Sequence, residues 1–146
     1  MSSVREQIVQ AALALLNGAN LNPPEGMPAF TRTRFEPYGA EELPAGTVRA
    51  LREEVEYEKG GKWGPFRRRT FTLRVSLYCL GHEGNLDDMA VWVVSQLDGQ
   101  FTPLVEDCIE GLYDFQSALE DHPYSALALD FRVHYHTIVG DQTRAQ

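Results

Sequence analysis

Between Thr70 and Cys79 the chain alternates without a break. Phe71, Leu73, Val75, Leu77 and Cys79 fall on one side, and Thr70, Thr72, Arg74, Ser76 and Tyr78 on the other. Successive side chains of a β-strand point to opposite faces, so this run is a strand with one face buried and one wet. Ser125 to Val139 repeats the pattern: Leu127, Leu129, Phe131, Val133 and Tyr135 face a core, while Asp130, Arg132, His134 and His136 face outward. Cys108 to Leu119 reads as its antiparallel partner, joined to it through Asp121-His122-Pro123. A sheet with one apolar face must be covered by something equally apolar.

Two segments have the spacing to cover it. Ser3-Val4-Arg5-Glu6 has the spacing of a capping box, and Val4, Ile8, Ala11, Ala12 and Leu15 then recur at helical intervals. Gly18 is expected to stop that helix in a left-handed conformation. Asn85 is placed to cap a second helix with Asp87 and Asp88 in its first turn, where carboxylates suit the positive end of the macrodipole. Its apolar stripe is Leu86, Met89, Ala90, Val93, Val94 and Leu97, and Gly99 ends it.

The remaining segments follow from their punctuation. Pro23, Pro24, Gly26 and Pro28 make Asn20 to Pro28 a loop. Ala29 to Glu36 alternates as a short strand closed by Pro37, and Tyr38 to Gly46 connects it onward. Thr47 to Glu58 fits two periods. Leu51, Val55 and Glu58 suit a helix face, whereas Leu51, Glu53, Val55 and Tyr57 suit a strand face. A strand is the better reading, because a partner strand follows across Lys59-Gly60-Gly61-Lys62. The tail after Asp141 is polar and is expected to fray. The order α-β-β-β-α-β-β predicts an α+β fold: one domain over residues 1–146, a mostly antiparallel sheet, and both helices packed on one face.

Composition agrees with a folded domain: hydrophobic residues make up 43% and charged residues 23% of 146. The net charge of −8 favours solubility and opposes general affinity for nucleic acid or an anionic membrane. Apolar runs such as Ala11 to Leu16 are too short to span a bilayer, and the N-terminus lacks the pattern of a signal peptide. Cys79 and Cys108 stand apart in apolar contexts and read as reduced, buried thiols.

Few residues suggest chemistry. His134-x-His136 puts two imidazoles on one strand face, half of a possible zinc site, with His82, His122 or Asp130 as the nearest further donors. None stands at a diagnostic spacing, so the pair reads as a solvated or subunit-facing surface without a metal. Asp87 and Asp88 are explained by their helix start rather than by acid–base work. Neither cysteine belongs to a nucleophile motif, and Gly60-Gly61-Lys62 lacks the rest of a phosphate loop. No catalytic, cofactor or metal residue is assigned. One cluster does not fit a plain surface: Lys59, Lys62, Arg67, Arg68 and Arg69 crowd together with Trp63 and Phe66 in an acidic chain. Such a basic, aromatic hairpin suits a phosphate backbone or an acidic neighbour, or is a solvated tip.

Taken together, the amphipathic opening helix Val4 to Leu16, Leu43-Pro44-Ala45 and Arg69-x-Phe71-x-Leu73-x-Val75 form a pattern. Asp87-Asp88 and Phe131-x-Val133-x-Tyr135-x-Thr137 before Gly140-Asp141 extend it. In that order the chain resembles the tail terminator (tail-completion, minor tail protein U-like) proteins of long-tailed bacteriophages. The resemblance implies a homo-oligomeric ring, expected to be hexameric, that caps the tail tube, ends its polymerisation and presents a surface to the head-completion or neck protein. It also implies a place in the virion tail, DNA only as passing cargo, no cofactor and no membrane. The loop Asn20 to Pro28 and the basic hairpin match no motif of that family. Other readings are a neck or head-closure subunit, a small bacterial binding module, and a metal enzyme at His134 and His136.

Overall fold

In the computed structural model the described residues are 3–18, 27–32, 45–56, 66–80, 84–101, 104–116, 124–138 and 141–145. They form α1 (Val4–Leu16), β1 (Phe30–Arg32), β2 (Ala45–Glu56), β3 (Phe66–Leu80), α2 (Gly84–Leu97), β4 (Asp107–Gln116), β5 (Tyr124–Ile138) and β6 (Asp141–Ala145). The sheet order is β1-β2-β3-β5-β4, and β6 pairs with β5. All pairings are antiparallel except the short parallel one between β1 and β2. The expected α+β class with a mostly antiparallel sheet is what forms.

β3 and β5 pair in unbroken register from Phe66 opposite Ile138 to Leu80 opposite Tyr124. Phe71, Leu73, Val75 and Leu77 thereby share a face with Leu127, Leu129, Phe131, Val133 and Tyr135, all of them buried. Both helices close over this inner face. Val4, Ile8, Val9, Ala12 and Leu16 of α1 join Leu86, Met89, Ala90, Val93 and Leu97 of α2 in the same core. Each large aliphatic side chain so buried contributes roughly 1.5–3 kcal/mol. Phe71 and Tyr135 meet edge to face, ring centroids 5.8 Å apart.

The flanking strands are less regular, and each carries one bulge. In β2 the register shifts between Leu51 and Glu53, and the extra residue, Arg52, has φ +34°. An inserted residue reverses the parity of everything after it. Val48 and Ala50 face inward before the bulge; Glu53 and Val55 do so after it, opposite Phe71 and Arg69. Leu51, opposite Thr72, therefore lies on the outer face and not beside Glu53 and Val55 as its spacing suggested. In β4 the shift lies between Glu110 and Leu112. The residue between them is Gly111, where an added Cβ would come within 3.1 Å of the Asp130 carbonyl oxygen.

Four local expectations need correction. Ser3 caps α1 by accepting the Glu6 N–H at 3.2 Å, yet the Glu6 carboxylate does not return the bond. It accepts from Gln10 at 3.0 Å and pairs with Arg32 instead, which ties α1 to β1. The stop at Gly18 is not left-handed: Gly99 is the glycine of positive φ among the described residues, and α1 ends on Asn17. The Asn17 amide donates to the Phe30 carbonyl at 2.9 Å and accepts the Phe30 N–H at 2.8 Å, clamping β1 beside the helix end. The tail after Asp141, expected to fray, forms β6 from Asp141 to Ala145. Polar side chains do not prevent this, because the pairing uses backbone groups and takes the part of the β5 edge beyond the β4 register. Asn85, expected as a cap, lies one residue inside α2, which begins at Gly84. The connections 57–65 and 117–123 lie outside the described residues.

Gly46 gives the clearest packing test. Its partner across the parallel pair is Phe30, whose buried ring would sit 2.6 Å from any added Cβ. Gly46→Ala is expected to destabilise the fold by about 1–3 kcal/mol, as overpacking does. In a Phe30→Leu background the same change should be milder. Urea unfolding of the four chains checks this non-additivity.

Candidate assembly surface

The basic cluster of the sequence is divided by the sheet. β3 begins at Phe66, so Arg67, Arg68 and Arg69 belong to the strand and not to a free loop. Lys59, Lys62 and Trp63 lie outside the described residues, as does the side chain of Phe66. Strand alternation sends Arg67 and Arg69 to the inner face and Arg68 to the outer face.

Arg69 enters a charged network at the end of the core. Its Nη1 donates to Glu53 Oε2 at 3.0 Å and its Nε to Thr137 Oγ1 at 2.8 Å. Arg5 of α1 pairs with the same Glu53 oxygen, and the Tyr135 hydroxyl donates to the other. The side chains of Arg69 and Glu53 are each only 12% exposed. One carboxylate thus joins α1, β2, β3 and β5. Burial first, then the bond to Glu53, pushes the Tyr135 phenol above its ordinary value. Sequence spacing alone did not pick out this hub. Its signal was a carboxylate placed between apolar residues in a run read as one strand face, which demands a buried cation.

Arg68 does comparable work outside. It pairs with Glu56 at 3.1 Å and Glu106 at 3.3 Å, bridging β2 to the turn before β4. Arg67 is half-buried. Further along the same outer face Arg74 grips Asp130 with two bonds of 2.7 and 2.9 Å. Asp130, considered above as a metal donor, is therefore held by an arginine.

The two histidines are half-buried members of this outer ladder and not solvated. His134 Nδ1 lies 2.7 Å from Thr70 Oγ1, and its Nε2 faces Asp107 at 3.7 Å. His136 Nδ1 faces Glu106 at 3.7 Å. Among the described residues no three His, Cys, Asp or Glu side chains come together as a metal site. His82 and His122 lie outside them. Asp87 and Asp88 are exposed on the first turns of α2. Cys79 and Cys108 are buried free thiols, and burial, then Asp98 and Asp107, pushes Cys108 up to about 12. An open groove of about 460 Å³ crosses the outer face among Arg52, Glu54, Thr72, Arg132 and His134. Its side chains carry both signs of charge. No helix among the described residues is long and apolar enough to cross a membrane.

Neither a protein-family model nor a curated protein sequence matches the chain. A solved structure does. The chain is similar to one in the virion of a native gene transfer agent particle, with a TM-score of 0.53 and 16% identity over 90% of each chain. The two share a fold.

The network around Glu53 predicts unequal roles for adjacent arginines. Arg69→Ala is expected to destabilise by about 3 kcal/mol, because it strips a partner from a buried charge. Arg68→Ala, at a wetter site, should cost under about 1 kcal/mol. Chemical denaturation separates the two. Alkaline unfolding tests Tyr135. A phenol raised by folding contributes stability that is complete below its unfolded value of about 10 and lost as pH climbs toward the folded one. Stability should therefore fall above about pH 10 more steeply in the native chain than in Tyr135→Phe.

Proposed function

We propose that this chain is a structural subunit of a phage-like virion, and that it acts as a tail terminator: a ring that caps the tail tube and receives the head. The observation that carries the reading is the fold shared across 90% of both chains with a component of a gene transfer agent virion. The sequence pattern running from α1 through Arg69-x-Phe71-x-Leu73-x-Val75 to Phe131-x-Val133-x-Tyr135 supports the narrower role. Function in such a protein lies in surfaces. The partners are further copies of the chain, the tail tube protein and the head-completion or neck protein, with DNA as passing cargo.

The basic segment from Lys59 to Arg69 is proposed as an assembly contact, to a neighbouring subunit, the tube or DNA. Arg68 and Arg69 fix its base to Glu56 and Glu53. Replacing them would damage the fold as well as the contact, so Lys59→Glu with Lys62→Glu is the cleaner variant. A DNA role predicts normal tails that fail to join or that leak; a subunit or tube role predicts tails of uncontrolled length. Wild-type particles from this variant would remove the segment from the assembly surface.

Purified protein mixed with its own tail tubes and viewed by negative stain is the primary test. Rings seated on tube ends, and over-long tails when the gene is deleted, are the expected result. A protein that stays monomeric and leaves tube ends bare is no terminator. Rings that bind the neck of filled heads and ignore tubes would indicate a head-closure subunit instead.

A further inference from the structure

No lysine or arginine stands between Arg74 and Arg132, although the chain has 13 in all. That interval builds α2 and β4, so neither element carries a cation. Asp87, Val91 and Ser95 recur at helical spacing along one exposed side of α2, and exposed Asp98 follows at its end. This side overlooks β4, because both of its aspartates act on Tyr113. Burial first, then the bond its hydroxyl donates to Glu110, then the charges of Glu110, Asp98 and Asp87, push the Tyr113 phenol up to about 12.

β4 itself is bare on both faces, with Ile109 to Asp114 exposed without interruption. Glu110 and Tyr113 lie opposite Phe131 and Leu129 of the core, so they point inward, yet the helices leave both exposed. Ile109 and Leu112, opposite Arg132 and Asp130, point outward and are 50% and 60% exposed. The strand also ends the sheet order, with no strand beyond it among the described residues. The end of α2 takes up its outer backbone groups only at the start. There the Gly99 N–H donates to Cys108 O at 2.8 Å, and the Glu110 N–H to Asp98 Oδ1 at 3.1 Å. From Gly111 to Asp114, no bond from outside the β4–β5 ladder reaches the backbone among the described residues.

An open strand edge invites a further strand, and the charges beside it decide which chain is admitted. Carboxylates repel an acidic chain, and a second copy of this same edge is among those repelled. They attract a cationic one. Strand alternation then divides the incoming side chains between two faces. Those on the inner side meet Glu110, Asp98 and Asp87. Those on the outer side meet Ile109 and Leu112, where Arg132 is already exposed and Asp130 is already held by Arg74. The inner side therefore asks for cations and the outer side for apolar groups.

We propose that β4 is a docking edge for an extended segment of another protein, one in which Lys or Arg alternates with apolar residues. The segment adds as a strand past Gly111 to Asp114, with its cations toward α2 and its apolar side chains over Ile109 and Leu112. Backbone pairing supplies affinity, and the two unlike faces set which way the segment lies. The proposal stands apart from the ring reading, which its failure leaves untouched.

A designed peptide tests it on the intact chain. The probe is a short capped peptide of alternating Lys and Val; the controls are its Glu–Val counterpart, its fully N-methylated form and poly-lysine. The Lys–Val peptide should bind, read by fluorescence anisotropy, and should slow amide exchange at Gly111 to Asp114. N-methylation should weaken binding about tenfold or more, since it removes the pairing groups. Leu112→Ser, and separately Asp87→Asn with Glu110→Gln, should each weaken it about tenfold while the urea unfolding curve stays unchanged. The Glu–Val peptide should not bind. If poly-lysine or the N-methylated peptide binds as tightly, the surface attracts cations without pairing and the docking edge is refuted. Absence of binding, or exchange protection at another strand, refutes it equally. If self-association of the native chain protects these same amides and Leu112→Ser abolishes it, the edge joins copies of the chain and the partner proposed here is wrong.

Discussion

The β3–β5 ladder is the constraint to which the rest of the molecule adjusts. Its register runs from Phe66 to Leu80 against Ile138 to Tyr124 without a bulge, and both strands alternate strictly over the part beneath the helices. A slip of one residue would carry Phe71, Leu73, Val75 and Leu77 to the wet face together, so only one pairing is stable. α1 and α2 cover the surface that this pairing creates. The strands on either side meet a partner whose pleat is already fixed, and each accommodates it with one extra residue, Arg52 in β2 and Gly111 in β4.

Those two irregularities decide which side chains face where. At Arg52 a non-glycine residue holds φ +34°, a conformation that costs an L-residue roughly 1–2 kcal/mol. The return is that Glu53 turns inward, where Arg5, Arg69 and the Tyr135 hydroxyl receive it. A carboxylate buried without them would be far more destabilising than the backbone strain. The arrangement also sets the end of the core: apolar contact stops near Phe71, and paired charge takes over to anchor α1 across three strands. At Gly111 the effect is opposite in direction. The bulge turns Leu112 outward and leaves an apolar side chain on the surface.

This explains which parts of the fold were legible in the sequence. Phe71 to Cys79 and Leu127 to Tyr135 could be read directly, because one buried face and one wet face impose a period that nothing interrupts. α1 and α2 were equally plain as helices, although the buried side of α1 runs through Val9 and Leu16 and leaves Ala11 and Leu15 half-buried. Thr47 to Glu58 was ambiguous for a physical reason: the bulge at Arg52 breaks the period of two in the middle, so Leu51 and Val55 lie on opposite faces although their spacing suggests one. β6 could not be inferred from Asp141 to Ala145, since it is held through backbone pairing to an edge that exists only once β5 is in place. The candidate site was legible as composition but not as geometry. Three consecutive arginines look like a patch, whereas a strand sends Arg68 to Glu56 and Glu106 and Arg69 to Glu53. His134 and His136 were placed on the correct face; their engagement with Thr70, Asp107 and Glu106 depends on register across β3, β5 and β4.

A net charge of −8 opposes association between copies only over distances that salt does not screen. At physiological ionic strength the screening length is about 8 Å. Repulsion between whole molecules is therefore damped, while groups in direct contact across an interface keep most of their attraction. Charge is unevenly spread: with Lys and Arg missing from Val75 to Phe131, α2 and β4 carry carboxylates alone, whereas β1 and β2 carry exposed Arg32, Arg49 and Arg52 beside exposed Glu54 and Glu56. Two copies of the acidic α2–β4 side repel each other on contact, so a symmetric dimer through that side is disfavoured. The bulge at Gly111 adds an exposed apolar side chain, Leu112, to that acidic side, so a partner covering it must meet both apolar and charged groups.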